Sequence, residues 1–154
     1  MKSTRNSPPP STHTAQLVYV MELYEFGSIR DYLDGNKSAM LAPETCVTIL
    51  SDCSRGLAHL HSRGVCHRDV RSENLLLTML NGGRMRIVLS DFTSSKKADE
   101  EEKKNGDILS GHANWAAPEC LVGSSAAFTS DSDVYSFGCL IYEILTRVGV
   151  VKVL

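Results

Sequence analysis

Asp69 is followed by a cation two positions on, Arg71, and by a carboxamide five positions on, Asn74. The three side chains can meet at one reacting centre if the loop that carries them is held at both ends. They are the groups that phosphoryl transfer needs. A carboxylate accepts the hydroxyl proton, a cation balances charge on the moving phosphoryl group, and a carboxamide oxygen ligates a magnesium ion. A second carboxylate, Asp91, comes directly after an apolar run and so falls at a predicted strand end.

The elements around this cluster must do the holding. On its N-terminal side, Pro43 suits a first helical turn and Glu44 suits its positive end. Cys46, Leu50, Cys53, Leu57 and Leu60 recur at steps of four and three, and Gly64 supplies a stop. That pattern predicts a helix with one apolar face. His59 and His61 lie two apart, cannot share a helix face, and read as ordinary helix-end residues rather than a metal pair. On the C-terminal side, residues 75–78 and 85–89 are short apolar runs joined through Asn81-Gly82-Gly83, the composition of a hairpin.

Further out, residues 17–23 are rich in β-formers and predict a strand buried on both faces or nearly so. Gly27 breaks it, and Ser28 is a suitable N-cap for a short helix from Ile29 to Leu33. Residues 94–114 carry Ser94, Ser95, Ser110 and the run Asp99-Glu100-Glu101-Glu102, and read as a mobile surface loop ending near the anchor Trp115. In the last helix, from about Ser132 to Thr146, apolar residues from Val134 to Leu145 spread around the circumference. A helix apolar on all sides is a central one. Residues 1–15, with Pro8-Pro9-Pro10, read as a disordered or polyproline-type arm.

Composition narrows the function classes. Sixteen Lys plus Arg against eighteen Asp plus Glu give a formal charge of -2, so no basic field favours nucleic acid or an anionic membrane. No stretch reaches the length of a membrane span and the start lacks a signal-peptide core. Five cysteines, without a C-x-x-C pair, read as reduced core thiols of a cytoplasmic protein.

Together the motifs resemble the protein kinase family, in particular its tyrosine-kinase-like serine/threonine group. Met21-Glu22-Leu23-Tyr24 is similar to a gatekeeper and hinge, and His67-Arg68-Asp69 with Asn74 to a catalytic loop. Asp91-Phe92-Thr93 is similar to a D-F-G element, Ala117-Pro118-Glu119 to the close of an activation segment, and residues 132–138 to the start of a central helix. The resemblance implies an α+β fold: a mainly helical large lobe with one hinge strand and a small β-hairpin, incomplete in this chain. Residues 16–24 would be the last small-lobe strand and hinge, and 25–147 the large lobe, truncated after its central helix.

The resemblance also assigns roles. Asp69 would be the catalytic base and Arg71 would neutralise the γ-phosphate. Asn74 and Asp91 would hold Mg2+, with Met21, Glu22, Tyr24 and Leu76 around the adenine of ATP. Arg68 would receive a phosphate placed on Ser94, Ser95 or Ser110. Asp133 would hold the catalytic-loop backbone from below, while Phe92 and Glu119 would be structural or regulatory. The implied partners are a protein substrate and a regulatory protein, without nucleic acid.

Departures from the family pattern set further expectations. No G-x-G-x-x-G and no strand Lys precede the hinge, so the chain by itself is expected to transfer phosphate very slowly or not at all. Val150-Val151-Lys152 imitates a lysine strand but lacks the glycine loop that should precede it. Thr93 stands where the family has Gly, and a β-branched residue resists positive φ. Glu119 should lack its basic partner, His112 replaces a common Thr, and apolar surface should be left exposed, giving poor solubility or a need for a partner. The alternative to an enzyme is a pseudokinase or scaffold.

Overall fold

The computed structural model describes residues 18, 20–35, 40–97, 113–121 and 128–147. The proline arm, Ser110, His112, the acidic run and residues 150–154 lie outside them. Helix α1 spans Ile29–Gly35, α2 Pro43–Ser62, α3 Pro118–Leu121 and α4 Ser130–Thr146. Between them lie β1 (Val65–Cys66), a 3-10 turn (Ser72–Asn74), β2 (Leu75–Leu80), β3 (Arg84–Leu89) and β4 (Lys96–Lys97).

Helix α2 forms as its spacing predicts, and Gly64 accepts the left-handed φ of +67° that ends it. Its buried line is Cys46, Ile49, Cys53 and Leu57, with Leu50 and Leu60 only partly buried. The hairpin is antiparallel, from the pair Leu75–Leu89 to the pair Leu80–Arg84, and Asn81-Gly82-Gly83 makes its turn. Leu75, Leu77, Ile87 and Leu89 point from it into a core shared with Ile29, Leu33, Val70, Leu140 and Ile144.

Among the described residues of the expected N-terminal strand, 18 and 20–23, no strand forms. Val18, Val20, Met21 and Leu23 are exposed by 72, 96, 69 and 79%, because no strand among the described residues pairs with them. A β-rich run without a neighbour has no ladder to join. The chain after it turns at Gly27, whose φ is +68° and where a Cβ would stand 2.9 Å from Asp31 Oδ2. Ser28 then caps α1, exchanging hydrogen bonds with Asp31 through Ser28 N–H (2.9 Å), Ser28 Oγ (2.7 Å) and Asp31 N–H (3.1 Å).

Helix α4 is not apolar on all sides in its packing. Leu140 and Ile144 face the core, while Val134, Tyr135, Tyr142 and Leu145 are exposed by 40 to 58%. Its other buried side chains are polar, namely Ser132, Asp133, Ser136 and Glu143. Thr129 and Ser132 form a reciprocal capping box at its N-terminus. Thr129→Ala is expected to cost about 1 kcal/mol, read as a lower urea midpoint at unchanged m.

Residues 94–97 belong to the folded structure rather than to a loose loop. Strand β4 pairs antiparallel with β1, Val65 opposite Lys97 and Cys66 opposite Lys96. Ser95 Oγ donates to the His67 carbonyl at 3.2 Å. The five cysteines are all free thiols, four of them buried. Burial, reinforced by Asp133, pushes the Cys53 thiol up to about 12.

Candidate active site

The stretch from His67 to Leu75 alternates anchors with working groups. His67, Val70, Ser72 and Leu75 are fully buried, and Asn74 is nearly so. Asp69 and Arg71 keep side-chain exposures of 10 and 14%. Val70 and Leu75 enter the core, so the loop is anchored from within, while the side chains of Asp69 and Arg71 keep a little exposure at the rim.

From α4, the Asp133 carboxylate holds the loop's N-terminal half. Its Oδ2 accepts from the His67 N–H at 2.7 Å and its Oδ1 from the Arg68 N–H at 2.8 Å. His61 Nε2 lies 2.9 Å from the same Oδ2, so this histidine is a tertiary contact and not an ordinary helix end. Arg68 takes a φ of +70°, a conformation unfavourable for a side chain with a Cβ. The two carboxylate bonds on either side of its peptide hold it there.

Asn74 turns its amide onto Asp69. Nδ2 donates to Asp69 Oδ2 at 2.8 Å and to the Asp69 carbonyl at 2.8 Å. That fixes the carboxylate and leaves Asn74 Oδ1 facing away from these two bonds. Arg71 Nε stands 3.6 Å from Asp69 Oδ1, an ion pair longer than a hydrogen bond, and is buried with no hydrogen-bond partner among the described residues. The guanidinium also lies 5.9 Å from the centre of the Trp115 ring.

His67 links this loop to the strand end. Its Nδ1 accepts from the Asp69 N–H at 3.3 Å, which places the proton on Nε2, the donor to the Ser90 carbonyl at 2.9 Å. Ser90 returns two bonds, from N–H (2.9 Å) and Oγ (3.0 Å), to the Asn74 carbonyl. Asn74 and the residue after Ser90, Asp91, are thereby made neighbours. The Phe92 ring meets His67 edge-on at 5.2 Å.

Burial holds the His67 pKa below its ordinary 6.5, against the opposing pull of the Ser90 carbonyl and Asp133. The unfolded chain therefore binds this proton at a higher pH than the folded one. Stability is full above pH 6.5 and falls as pH drops through the window between 6.5 and the lower folded value. Urea midpoints measured from pH 7.5 to 5 should decline, and His67→Asn should flatten the decline; an unchanged slope in that variant assigns it to other groups.

Asp91 itself carries the left-handed φ, +59°, and Thr93 does not. The expected conflict at Thr93 is thus moved two residues back. Thr93 instead donates to Asp91 Oδ1 through its hydroxyl (2.6 Å) and N–H (3.2 Å). The hydroxyl bond is the first cause of a carboxyl pKa held below the usual range. Asn74 Oδ1 and the second Asp91 oxygen are hard oxygen donors, the type that suits magnesium. Among the described residues no group of three or more His, Cys, Asp or Glu is placed to hold a metal.

The remaining candidates are placed unevenly. Leu76 is brought to the turn at Gly27 by a bridge with Ser28 and by the Leu77 N–H bond to the Gly27 carbonyl at 2.9 Å. The Tyr24 carbonyl is occupied by the Gly27 N–H at 3.2 Å, and the Tyr24 hydroxyl donates to Glu22. Met21 and Glu22 are exposed and not gathered to Leu76 by any strand. Arg68 lies 4.6 Å from the Phe128 ring centre, Ser94 and Ser95 are half-buried, and Glu119 is exposed.

Sequence reasoning missed Glu143, Ser72 and His61. All three are polar residues engaged by partners far along the chain, Glu143 and Ser72 buried and His61 partly so, and periodicity marks apolar faces only.

The chain matches the family model for protein tyrosine and serine/threonine kinases over residues 10–150. It is 35% identical over 127 residues to the serine/threonine/tyrosine-protein kinase HT1 of Arabidopsis thaliana, covering 82% of this chain and 30% of that protein. It is 34% identical over 133 residues to the serine/threonine-protein kinase PkaB of Streptomyces coelicolor, covering 84% and 31%. With the serine/threonine-protein kinase/endoribonuclease ire-1 of Caenorhabditis elegans it shares 34% over 124 residues, 77% of this chain and 13% of that protein. The chain spans about a third or less of the length of these curated relatives. With the family model covering nearly its whole length, the chain belongs to the protein tyrosine and serine/threonine kinase family.

Proposed function

We propose that residues 25–147 are the large lobe of an ATP-dependent protein kinase and residues 16–24 the last small-lobe segment and hinge, acting on serine or threonine hydroxyls in a cytoplasmic signalling protein. The observation that carries this reading is the Asn74 Nδ2 bond to Asp69 Oδ2 at 2.8 Å. It fixes a carboxylate in a rim position beside an arginine whose Nε has no hydrogen-bond partner among the described residues. Asp69 accepts the proton of the attacking hydroxyl, and Arg71 meets charge on the transferred group. Asn74 and Asp91 would hold Mg2+, which with bound ATP supplies the phosphoryl donor. Arg71 in place of the Lys common in serine/threonine kinases leaves tyrosine open as an acceptor. The chain alone, without a glycine-rich loop, is expected to transfer little phosphate.

One observation favours a second reading, a pseudokinase scaffold that binds a regulatory protein. Asp91 Oδ1 is already engaged by the Thr93 hydroxyl at 2.6 Å. Thermal unfolding of the chain with and without Mg-ATP separates the two. Nucleotide at about ten times its Kd stabilises by ~1.4 kcal/mol, or roughly 3–6 °C, and Asn74→Ala should remove the magnesium-dependent part. No shift in wild type, with a shift restored by Thr93→Gly, would favour the scaffold.

A further inference from the structure

Glu143 is a carboxylate with 1% exposure that has no part in the chemistry above. A buried ion is costly unless donors surround it, and an apolar side chain of similar volume would fill the space without one. Its donors come from three separate parts of the chain. Oε1 accepts from Arg30 Nη1 on α1 at 3.2 Å and from Ser72 Oγ in the catalytic-loop turn at 2.7 Å, and Oε2 accepts from Trp115 Nε1 at 3.3 Å. The Ser72 bond is the shorter of that hydroxyl's two carboxylate contacts, the other being 3.2 Å to Glu73.

We propose that Glu143 is a positioning residue that couples the catalytic-loop turn to the Trp115 segment, its two oxygens divided between Ser72 and Trp115. The proposal rests on the kinase reading for its purpose, since the turn it holds ends at Asn74 and lies between Asp69 and the core. One rigid carboxylate plane serves both segments. Displacing Trp115 rotates the plane, and the rotation reaches Ser72 and through the turn the Asn74–Asp69 pair. Ser136 on the same helix donates to the Trp115 carbonyl at 2.8 Å, so the indole has a fixed hinge about which to move. Arg30 balances the charge and is itself shared with Asp34 at 2.7 Å.

Trp115 is the only tryptophan, so its indole N–H gives a single cross-peak in a 15N-correlated NMR spectrum of the chain. Ser72→Ala removes only the loop's bond, yet it is expected to shift the Trp115 indole resonance. Trp115→Phe is expected to shift the Asn74 carboxamide resonances in turn. In a Glu143→Gln background the effect of Ser72→Ala on the indole should shrink at least threefold. An indole peak unmoved by Ser72→Ala, in a protein whose circular dichroism matches wild type, overturns the proposal. Should Glu143→Gln fail to fold, the Ser72→Ala and Trp115→Phe pair decides it: additive effects on the Asn74 carboxamide resonances overturn it and non-additive ones support it. None of these readouts needs nucleotide. Coupling found alongside failure of the Mg-ATP experiment would leave the tie standing and remove the phosphoryl-transfer reading.

Discussion

Asp133→Ala is expected to destabilise the chain by roughly 3–5 kcal/mol. Three donors converge on this carboxylate: the His67 and Arg68 amides at 2.7 and 2.8 Å and His61 Nε2 at 2.9 Å. Removing it leaves two loop amides unpaired beside a core in which His67 is fully buried. Each such group costs about 1–3 kcal/mol, and the left-handed Arg68 loses the bond that holds it. Against a typical total of about 5–15 kcal/mol this is a large fraction, read as a fall of roughly 6–20 °C in melting temperature. Asp133→Asn keeps one acceptor and should fall between, and His61→Ala, which removes a single donor, should cost about 1 kcal/mol. A denaturation series in which Asp133→Ala lies within 1 kcal/mol of wild type would show that the clamp is not what holds the loop.

Local pattern carried the parts of the fold that neighbours in sequence decide. Helix α2, the Ser28 cap and the Asn81-Gly82-Gly83 hairpin follow from spacing and turn chemistry, and each forms where the residues put it. The site triad was legible because a loop of six residues carries it, and Asn74 reaches Asp69 without help from elsewhere. What failed depended on partners. Residues 17–23 have the composition of a buried strand, but burial needs a second strand, and Val20 is 96% exposed. Pairing of β1 with β4 escaped because two-residue strands carry no period. Glu143 was passed over and His61 read as an ordinary helix-end residue, since a sequence shows neither the serine 71 positions away nor the aspartate 72 positions away that engage them. The exposed face of α4 has the same origin. Its apolar residues were evident, and the side that would be covered was not.

Asp69→Asn should leave the fold intact and lower phosphoryl transfer by about 10²–10⁴-fold, the range for losing a positioned general base. Stability changes little because the new carboxamide oxygen can still accept from Asn74 Nδ2, which now lies 2.8 Å from Oδ2. The chemistry changes because a carboxamide cannot take up the hydroxyl proton, and because its Nδ2 would face Arg71 Nε, now 3.6 Å from Oδ1, donor against donor. The loss should appear in kcat with the KM for nucleotide nearly unchanged, since on the proposed function Asp69 takes up the hydroxyl proton while Met21, Glu22, Tyr24 and Leu76 surround the adenine. The check is single-turnover transfer from Mg-ATP to a serine- or threonine-containing peptide by any preparation of this protein that is active with Asp69 in place. A rate within twofold of that with Asn at position 69 would take the base role away from Asp69, and the weight of catalysis would pass to charge stabilisation by Arg71 and the metal-holding pair.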